Sequence, residues 1–488
     1  MYGSRSHYSR RLRVLTIQEL LDEVLREIRP TEEEIGKALS IYEDIKEAVL
    51  KEINIPYPFK IELEGSVAKG TALSGELDLD IFLLIKYPEM GKEWIIKHVV
   101  NPLVKTLSSR YRTQLRYASH PYIRVLSSGV EADIVPAYWA ATVEEIKTAV
   151  DRTPFHTRYI KKSLTESQKD EARLLKKFFK GVGIYGAEIR VQGFSGYLSE
   201  LLIVKYGDFL NTLRNIGRWR LRQVLTVGDV DEDPKTLRLL FRDHPLIIPD
   251  PVDPRRNAAA AVSRRSLAIA IAASTFFLRS PTRKFFFPKP ETLPLEALEE
   301  TLRRSRRRLL LLLYGMRPGT PPDVSWGELR KVSRKVLNML KEQGYEVIDW
   351  SVWSNDEDLA AAAIDIDEES VEREYEVRDG PRIIGQPVVS FISKYLNRED
   401  ALGPWISQEG IPKVLLARRR SNPVEALKDL GKELSTPDLE VIQVTDSLEE
   451  FLSRVDVKDK GKILQWLTEA VVKTPSWLGA VKTSGSDR

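Results

Sequence analysis

The chain contains no cysteine in 488 residues, which excludes disulfides and thiolate-held metal centres. Histidine is scarce: five residues, at positions 7, 98, 120, 156 and 244, with no pair at a spacing that would hold zinc. No apolar run approaches the roughly 20 residues that span a bilayer; Leu309 to Leu313 is far too short. The start of the chain shows no signal-peptide pattern. Charge of one sign is also nearly lacking, since 75 basic residues face 71 acidic ones for a net charge of +4. Such a balance argues only weakly for nucleic acid, and local basic runs carry more information than the total. These absences set aside a membrane protein and a secreted disulfide scaffold. They predict a soluble, cytoplasmic chain of about three domains.

What is present concentrates between residues 65 and 138. Gly65-Ser66 is followed, after eleven residues, by Asp78-Leu79-Asp80, which opens the apolar run Ile81-Phe82-Leu83-Leu84-Ile85. Alternation along a strand puts Asp78 and Asp80 on one face and turns Leu79 and Ile81 into a core. Two carboxylates this close raise each other's pKa unless a cation sits between them. Oxygen-only ligands suit Mg²⁺, which also binds substrate phosphates. A Gly-Ser turn can bring backbone N–H groups and a hydroxyl to a phosphate. A second strand, Gly129 to Tyr138, is expected to end at Pro136, because proline cannot donate to a ladder. It carries Glu131 and Asp133 on one face. Asp133, deeper in the apolar run, is the preferred third carboxylate, with Glu131 as the rival. The pattern predicts phosphoryl or nucleotidyl transfer by metal ions. Asp133 stays open as ligand or as base.

With these residues in view, the chain resembles the DNA polymerase beta nucleotidyltransferase superfamily, and within it the archaeal, class I CCA-adding tRNA nucleotidyltransferases. The specific strings are Asp151-Arg152-Thr153-Pro154-Phe155-His156, Gly193-Phe194-Ser195-Gly196-Tyr197-Leu198, and Asp250-Pro251-Val252-Asp253-Pro254-Arg255-Arg256-Asn257. The resemblance is strong from about residue 15 to 280 and thinner beyond. It implies template-free addition of C, C and A to the 3′ end of tRNA from CTP and ATP, with Mg²⁺ as cofactor. It implies metal carboxylates at Asp78, Asp80 and Asp133, and a triphosphate turn at Gly65, Ser66 and Lys69. Further triphosphate or sugar contacts fall on His156, Lys176 and Tyr185, and Arg256 is the implied base-selecting arginine. Arg255 stays open beside it. Position 69 is a lysine where arginine is also at home in the family; a point charge still binds phosphate, with less geometric fixing. The implied partners are tRNA, CTP and ATP, with no membrane; a homodimer stays open.

The expected fold class is α+β and multidomain: a polymerase-beta-type nucleotidyltransferase head, a helical neck, an α/β body and a ferredoxin-like C-terminal tail. The head is expected over residues 1–150. A helical neck and central nucleotide- and tRNA-binding domain follows over 151–280, then a tRNA-binding α/β tail over 281–425. A helical segment over 426–488 is expected to pack back on the body. Ile17 to Ile28 and Glu32 to Lys51 read as amphipathic helices, and Asn257 to Leu278 as an Ala/Ile-rich helix. Leu174, Leu175, Phe178 and Phe179 form an apolar stripe at helical spacing. Leu309–Met316, Trp326–Gln343, Glu346–Val352 and Leu359–Ile366 read as β-α-β-β, the pattern of a small ferredoxin-like module. The arginine runs at 303–308 and 418–420 and the basic start Met1 to Arg13 are candidate RNA-phosphate contacts. Since every tRNA must be a substrate, recognition is expected through shape, phosphates and 2′-hydroxyls.

Overall fold

A computed structural model describes residues 16–478 apart from 88, 90, 118–120, 128, 231, 383–384 and 418–421. The basic start and the arginines at 418–420 therefore lie outside the described residues. The chain divides into two compact units: residues 1–289 with 477–488, and residues 290–476.

The first unit opens on two helices, α1 (Ile17–Ile28) and α2 (Glu32–Glu52). Each starts at a threonine, Thr16 or Thr31, locked reciprocally to a glutamate three residues on, Glu19 or Glu34. Glu34 has a second use: it accepts from the Gly75 backbone N–H (2.9 Å) and the Ser74 hydroxyl (3.0 Å). It thereby pins the spacer between the Gly-Ser turn and the Asp-Leu-Asp segment.

Next come β1 (Phe59–Glu64), α3 (Gly65–Lys69), β2 (Leu79–Ile85), α4 (Lys92–Ile95), α5 (Asn101–Leu107), β3 (Arg112–Tyr117), β4 (Pro121–Ser127) and β5 (Val130–Tyr138). The strands form one sheet in the order β1-β2-β5-β4-β3. Only β2 and β5 run parallel. One face, with Leu79, Ile81, Ile123 and Ile134, is sealed by Ile41, Ile45 and Val49 of α2 and by Leu103 and Leu107 of α5. The opposite face keeps polar groups at its centre.

The expectation that the last strand ends at Pro136 is corrected. β5 runs on to Tyr138, with Pro136 opposite Leu83 of β2. The register with β4 extends only from Val130 to Ile134, so the ladder on that side stops before the residue that lacks an N–H.

Helices dominate the rest of the unit: α6 (Thr153–Ser163), α7 (Glu166–Gly181), α8 (Gly196–Tyr206), α9 (Phe209–Ile216), α10 (Pro234–Leu240) and α11 (Arg264–Arg279). The stripe Leu174, Leu175, Phe178 and Phe179 is buried as expected. Phe178 meets Phe209, Phe277, Phe285 and Phe286 at ring-centroid distances of 5.6–5.9 Å, a packing that adds directional contact to area burial. The helix expected from Asn257 begins only at Arg264, capped by the Ser263 hydroxyl. Asn257 is instead a clamp for the preceding loop. Its Oδ1 accepts from the N–H groups of Ile248 (2.8 Å) and Ala259 (3.0 Å), and its Nδ2 donates to the Leu246 carbonyl (2.8 Å).

The second unit holds a four-stranded antiparallel sheet in the order Leu439–Thr445, Arg307–Met316, Leu359–Asp367, Val347–Ser354. Helix Pro322–Glu342 connects the second and fourth of these. This is the order into which a split β-α-β unit places its strands. A three-stranded sheet, Tyr375–Asp379, Pro412–Ala417 and Ala401–Ile406, is inserted before the last strand. Among the described residues no helix is long and apolar enough to cross a membrane.

Candidate active site

The polar face of the first unit's sheet carries a row of charge set by strand register. Glu64 lies opposite Asp80 across β1 and β2, Asp80 lies beside Asp133 across β2 and β5, and Asp133 lies opposite Arg124 across β5 and β4. Paired residues share a face, so Glu64, Asp80, Asp133 and Arg124 form one line across four strands. Asp78 stands one residue ahead of β2. Register also separates the two candidates on β5: Asp133 sits level with Asp80, whereas Glu131 lies two residues back along the strand.

The electrostatics match carboxylates crowded without a cation. Burial, then the neighbouring Asp133 charge, pushes Asp80 up to about 6. Burial, then Glu131, raises Asp78 as well. Glu64 is buried on the same row and pushed up to about 7. Asp133 has a different neighbour. Arg124 grips it through Nε–Oδ1 (2.7 Å) and Nη2–Oδ2 (2.8 Å), and reaches Glu131 Oε2 through Nη1 (2.6 Å). As the side chains stand, no three acidic or histidine groups among the described residues form a ready-made metal-holding set.

The Gly-Ser turn packs directly onto Asp80. Gly65 has φ +71°, and a Cβ added there would fall 1.8 Å from Asp80 Oδ2. Only glycine fits both the backbone conformation and the approach. Ser66 is half-buried, and its hydroxyl makes no hydrogen bond among the described residues.

Lys69, read as part of the triphosphate turn, and Lys176, read as a triphosphate or sugar contact, are brought together by a residue that the sequence reading did not single out. Glu200 on α8 is fully buried. Its Oε2 takes the Lys69 ammonium (2.6 Å), and its Oε1 takes the Lys176 ammonium (2.7 Å) and the Thr71 hydroxyl (2.5 Å). Lys176 also donates to the Thr71 hydroxyl (2.9 Å) and carbonyl (3.2 Å). All three of its ammonium protons are thus used inside the protein, and the side chain is 1 % exposed. Two cations share one anion, leaving one uncompensated positive charge behind the Gly65–Thr71 turn. Burial alone would raise Glu200, but Lys176 and Lys69 hold it well below the usual carboxylate range. Burial pushes Lys176 down to about 8 against the pull of Glu200. Tyr185 stands beside this cluster: a Cβ on Gly196 would lie 2.9 Å from its hydroxyl and 3.8 Å from Lys176 Nζ. Arg173 of α7 fixes the end of the same turn by donating to the carbonyls of Gly70 (2.6 Å) and Ala72 (2.9 Å).

His156 is held elsewhere. Its Nε2 lies 2.8 Å from Asp250 Oδ2, and its ring stacks on Tyr197 at 4.0 Å. The Tyr197 hydroxyl donates to Asp250 Oδ1 (2.9 Å). In the same loop, Asp253 takes Arg255 (2.8 Å) and Arg152 (3.3 Å). Arg255 is therefore tied down. The half-buried Arg256 side chain makes no hydrogen bond or ion pair among the described residues.

Two family models match the sequence: a nucleotidyltransferase domain over residues 42–166, and the second domain of tRNA nucleotidyltransferase over 170–287. The CCA-adding enzyme of Sulfurisphaera tokodaii is 35 % identical over 473 residues, covering 95 % of this chain and 100 % of its own length. That of Saccharolobus solfataricus is 34 % identical, with 94 % and 99 % covered. That of Pyrobaculum islandicum is 36 % identical, with 86 % and 94 % covered. The chain belongs to the archaeal CCA-adding enzymes. Its fold is mixed α+β with a nucleotidyltransferase domain, and it is a tRNA nucleotidyltransferase.

Family membership gives the Glu200 cluster a structural meaning. In this CCA-adding enzyme, Lys69 and Thr71 belong to the first matched domain, and Arg173, Lys176 and Glu200 to the second. The Gly65–Thr71 turn is thus built by one domain and braced by the other, inside a single compact unit. A lone glutamate in the apolar run Leu198-Ser199-Glu200-Leu201-Leu202 was the available signal, because a buried carboxylate demands a cationic partner. Four of the five arginines in the run at 303–308 pair with acids, while the side chains of Arg303 and Arg306 stay 80 % and 56 % exposed. Arg307 is buried against Asp365 (2.7 Å), Arg308 forks onto Glu368, Arg306 faces Glu369 and Glu372, and Arg303 pairs with Glu300. Strand pairing sets this use: Arg307 and Arg308 open the strand opposite Asp367 and Ile366. Arg304 alone of the five stays exposed and without a partner among the described residues.

Proposed function

We propose that the enzyme adds C, C and A to tRNA 3′ ends from CTP and ATP without a template, releasing pyrophosphate, at a single site on the polar face of its first sheet. Near-full-length similarity to CCA-adding enzymes carries the reaction, and the Asp80–Asp133 register carries the place. The donor set suits Mg²⁺: hard oxygens only, with Asp78 and Asp80 both raised as carboxylates short of a cation would be. Asp78, Asp80 and Asp133 would hold such ions, which when bound activate the 3′-hydroxyl and stabilise the leaving pyrophosphate.

The chain's own residues do the rest. Gly65 lets the turn lie against Asp80, so a triphosphate on that turn stands next to the carboxylates. Ser66 offers a free hydroxyl, and the buried Lys69–Glu200–Lys176 cluster offers its net positive charge. Asp250 orients His156, and Tyr197 supports its ring. Arg256 presents a rigid, permanently charged fork that can meet the acceptor edge of cytosine or adenine. The Nε contact of Arg255 with Asp253 favours Arg256 over Arg255 in this role. Domain-wise, residues 1–150 act as the catalytic head and the helices after them as the nucleotide-binding neck.

Extension of three tRNAs, ending before CCA, after C and after CC, tests the reading, with CTP or ATP alone and Mg²⁺. The first two should take only C and the third only A. Repeated addition of A to all three, and to unstructured RNA, would replace it with poly(A)-type synthesis.

A further inference from the structure

The side chains that could bind metal do not converge, and one residue accounts for it. Asp133 faces Arg124 with both oxygens, in the planar two-point fork that makes arginine–carboxylate pairs strong. The third nitrogen of the guanidinium holds Glu131. An ordinary cross-strand ion pair would use one contact; this one uses three, on two carboxylates, and leaves Arg124 only 27 % exposed. Lys69 is the other cation acting on Asp80, and it is committed to Glu200. Arg124 is therefore the cation in direct contact with the carboxylates of β5, Asp133 and Glu131.

We propose that Arg124 is the resting counter-ion of this carboxylate site: it occupies Asp133 and Glu131 so that a divalent ion enters with the nucleotide rather than before it. This rests on reading the row as the metal site for nucleotidyl transfer. Each oxygen of Asp133 keeps a second lone pair while it accepts from Arg124, so the arginine need not leave for a metal to bind. Its charge, however, opposes a bare divalent cation a few ångströms away. A nucleotide triphosphate brings enough negative charge to offset that repulsion. The same grip keeps Glu131 from serving as a competing ligand, which favours Asp133 as the third carboxylate.

The test is Mn²⁺ binding to the full chain, followed by the EPR signal of free Mn²⁺, with and without CTP. In Arg124→Gln, Mn²⁺ binding without nucleotide should tighten by about tenfold or more, since one unit of opposing charge is gone. With CTP present the gain should shrink to a few-fold. Arg124→Lys keeps the charge and should stay within about threefold of wild type. Glu131→Gln leaves the guanidinium's charge less compensated and should weaken Mn²⁺ binding, an independent arm if Arg124→Gln does not fold. Unchanged or weaker Mn²⁺ binding in a folded Arg124→Gln overturns the proposal, as does tighter binding in Glu131→Gln. A wild-type chain that binds no Mn²⁺ even with CTP overturns instead the reading of the row as a metal site.

Discussion

The charge count around Glu200 makes an ordered prediction. Two buried ammoniums, Lys69 and Lys176, lean on one buried carboxylate. Glu200→Gln leaves two buried cations with no counter-charge. Removing one partner of a buried pair costs about 3–5 kcal/mol, and this change strips the partner from two pairs at once. Lys176→Met leaves Lys69 and Glu200 balanced one to one and removes mainly hydrogen bonds, a loss of about 1–2 kcal/mol. At about 2–4 °C per kcal/mol for a unit of this size, Glu200→Gln should lower the melting midpoint by roughly 10 °C and Lys176→Met by roughly 4 °C. The double variant restores the wild-type net charge and should fall short of the summed losses by about 1–3 kcal/mol. pH supplies a second signature. Lys176 is pushed below its usual value, to about 8, so its charged form opposes folding at neutral pH. That penalty fades as pH rises from about 8 towards the unfolded value near 10.5. Wild type should therefore gain stability over this window relative to Lys176→Met. Glu200 works in the opposite sense: its depressed carboxyl stabilises above the unfolded value near 4.5, and the contribution is lost as pH falls through and below it. Urea unfolding followed by circular dichroism at pH 3, pH 7 and pH 9.5 measures all of this. Equal damage from the two single variants, or simple additivity in the double, would refute the shared-anion account.

Other consequences follow from the same geometry. Asp80→Asn should abolish nucleotide addition yet stabilise the metal-free protein by about 2 kcal/mol at pH 8. The raised carboxyl, at about 6, opposes folding only above its unfolded value near 3.8, so unfolding in EDTA should show no gain below about pH 4. Gly65→Ala combines a positive φ with a Cβ 1.8 Å from Asp80 and should cost about 2–4 kcal/mol in thermal unfolding while lowering kcat. Arg256→Ala should raise KM for CTP and ATP at least tenfold in single-nucleotide addition, while Arg255→Ala stays within a few-fold. Arg307→Ala should destabilise the second unit, because the buried Asp365 loses one of its two cationic partners and keeps only Lys473 (3.0 Å), whereas Arg304→Ala should leave stability alone and reduce the salt slope of tRNA binding by about one.

How much of this was legible in the sequence depended on whether the signal was local. Gly65-Ser66 and Asp78-Leu79-Asp80 announced themselves because a turn, a charge pair and an apolar strand lie within twenty residues. The capped helices α1 and α2 and the stripe on α7 were equally plain, since periodicity is local too. What escaped was set by pairing between distant segments. β1, β3 and β4 were not read as strands, so Arg124, which arrives on β4, went unnoticed although it grips the predicted third carboxylate. Arg307 and Arg308 looked like an RNA surface because a run of arginines is visible in sequence, while the acids that neutralise them lie 58 or more residues away. Lys176 shows the same limit from the other side. On a helical wheel it flanks the apolar stripe and reads as a solvent-facing lysine; only the family resemblance marked it, and that implied direct contact with phosphate. Its three protons are committed to Glu200 and Thr71, so its positive charge reaches the turn through a buried network rather than through open solvent. Lys69 is held by the same carboxylate, so the positions of both lysines beside the turn are fixed by a residue 131 positions from Lys69 in the chain. The specificity strings around Asp151, Asp250 and Asn257 follow one logic as well: Asp151 and Asn257 bind backbone N–H groups to shape loops, and Asp250 binds His156. These contacts are scaffolding, and Arg256 is the residue they leave without a hydrogen bond or ion pair among the described residues.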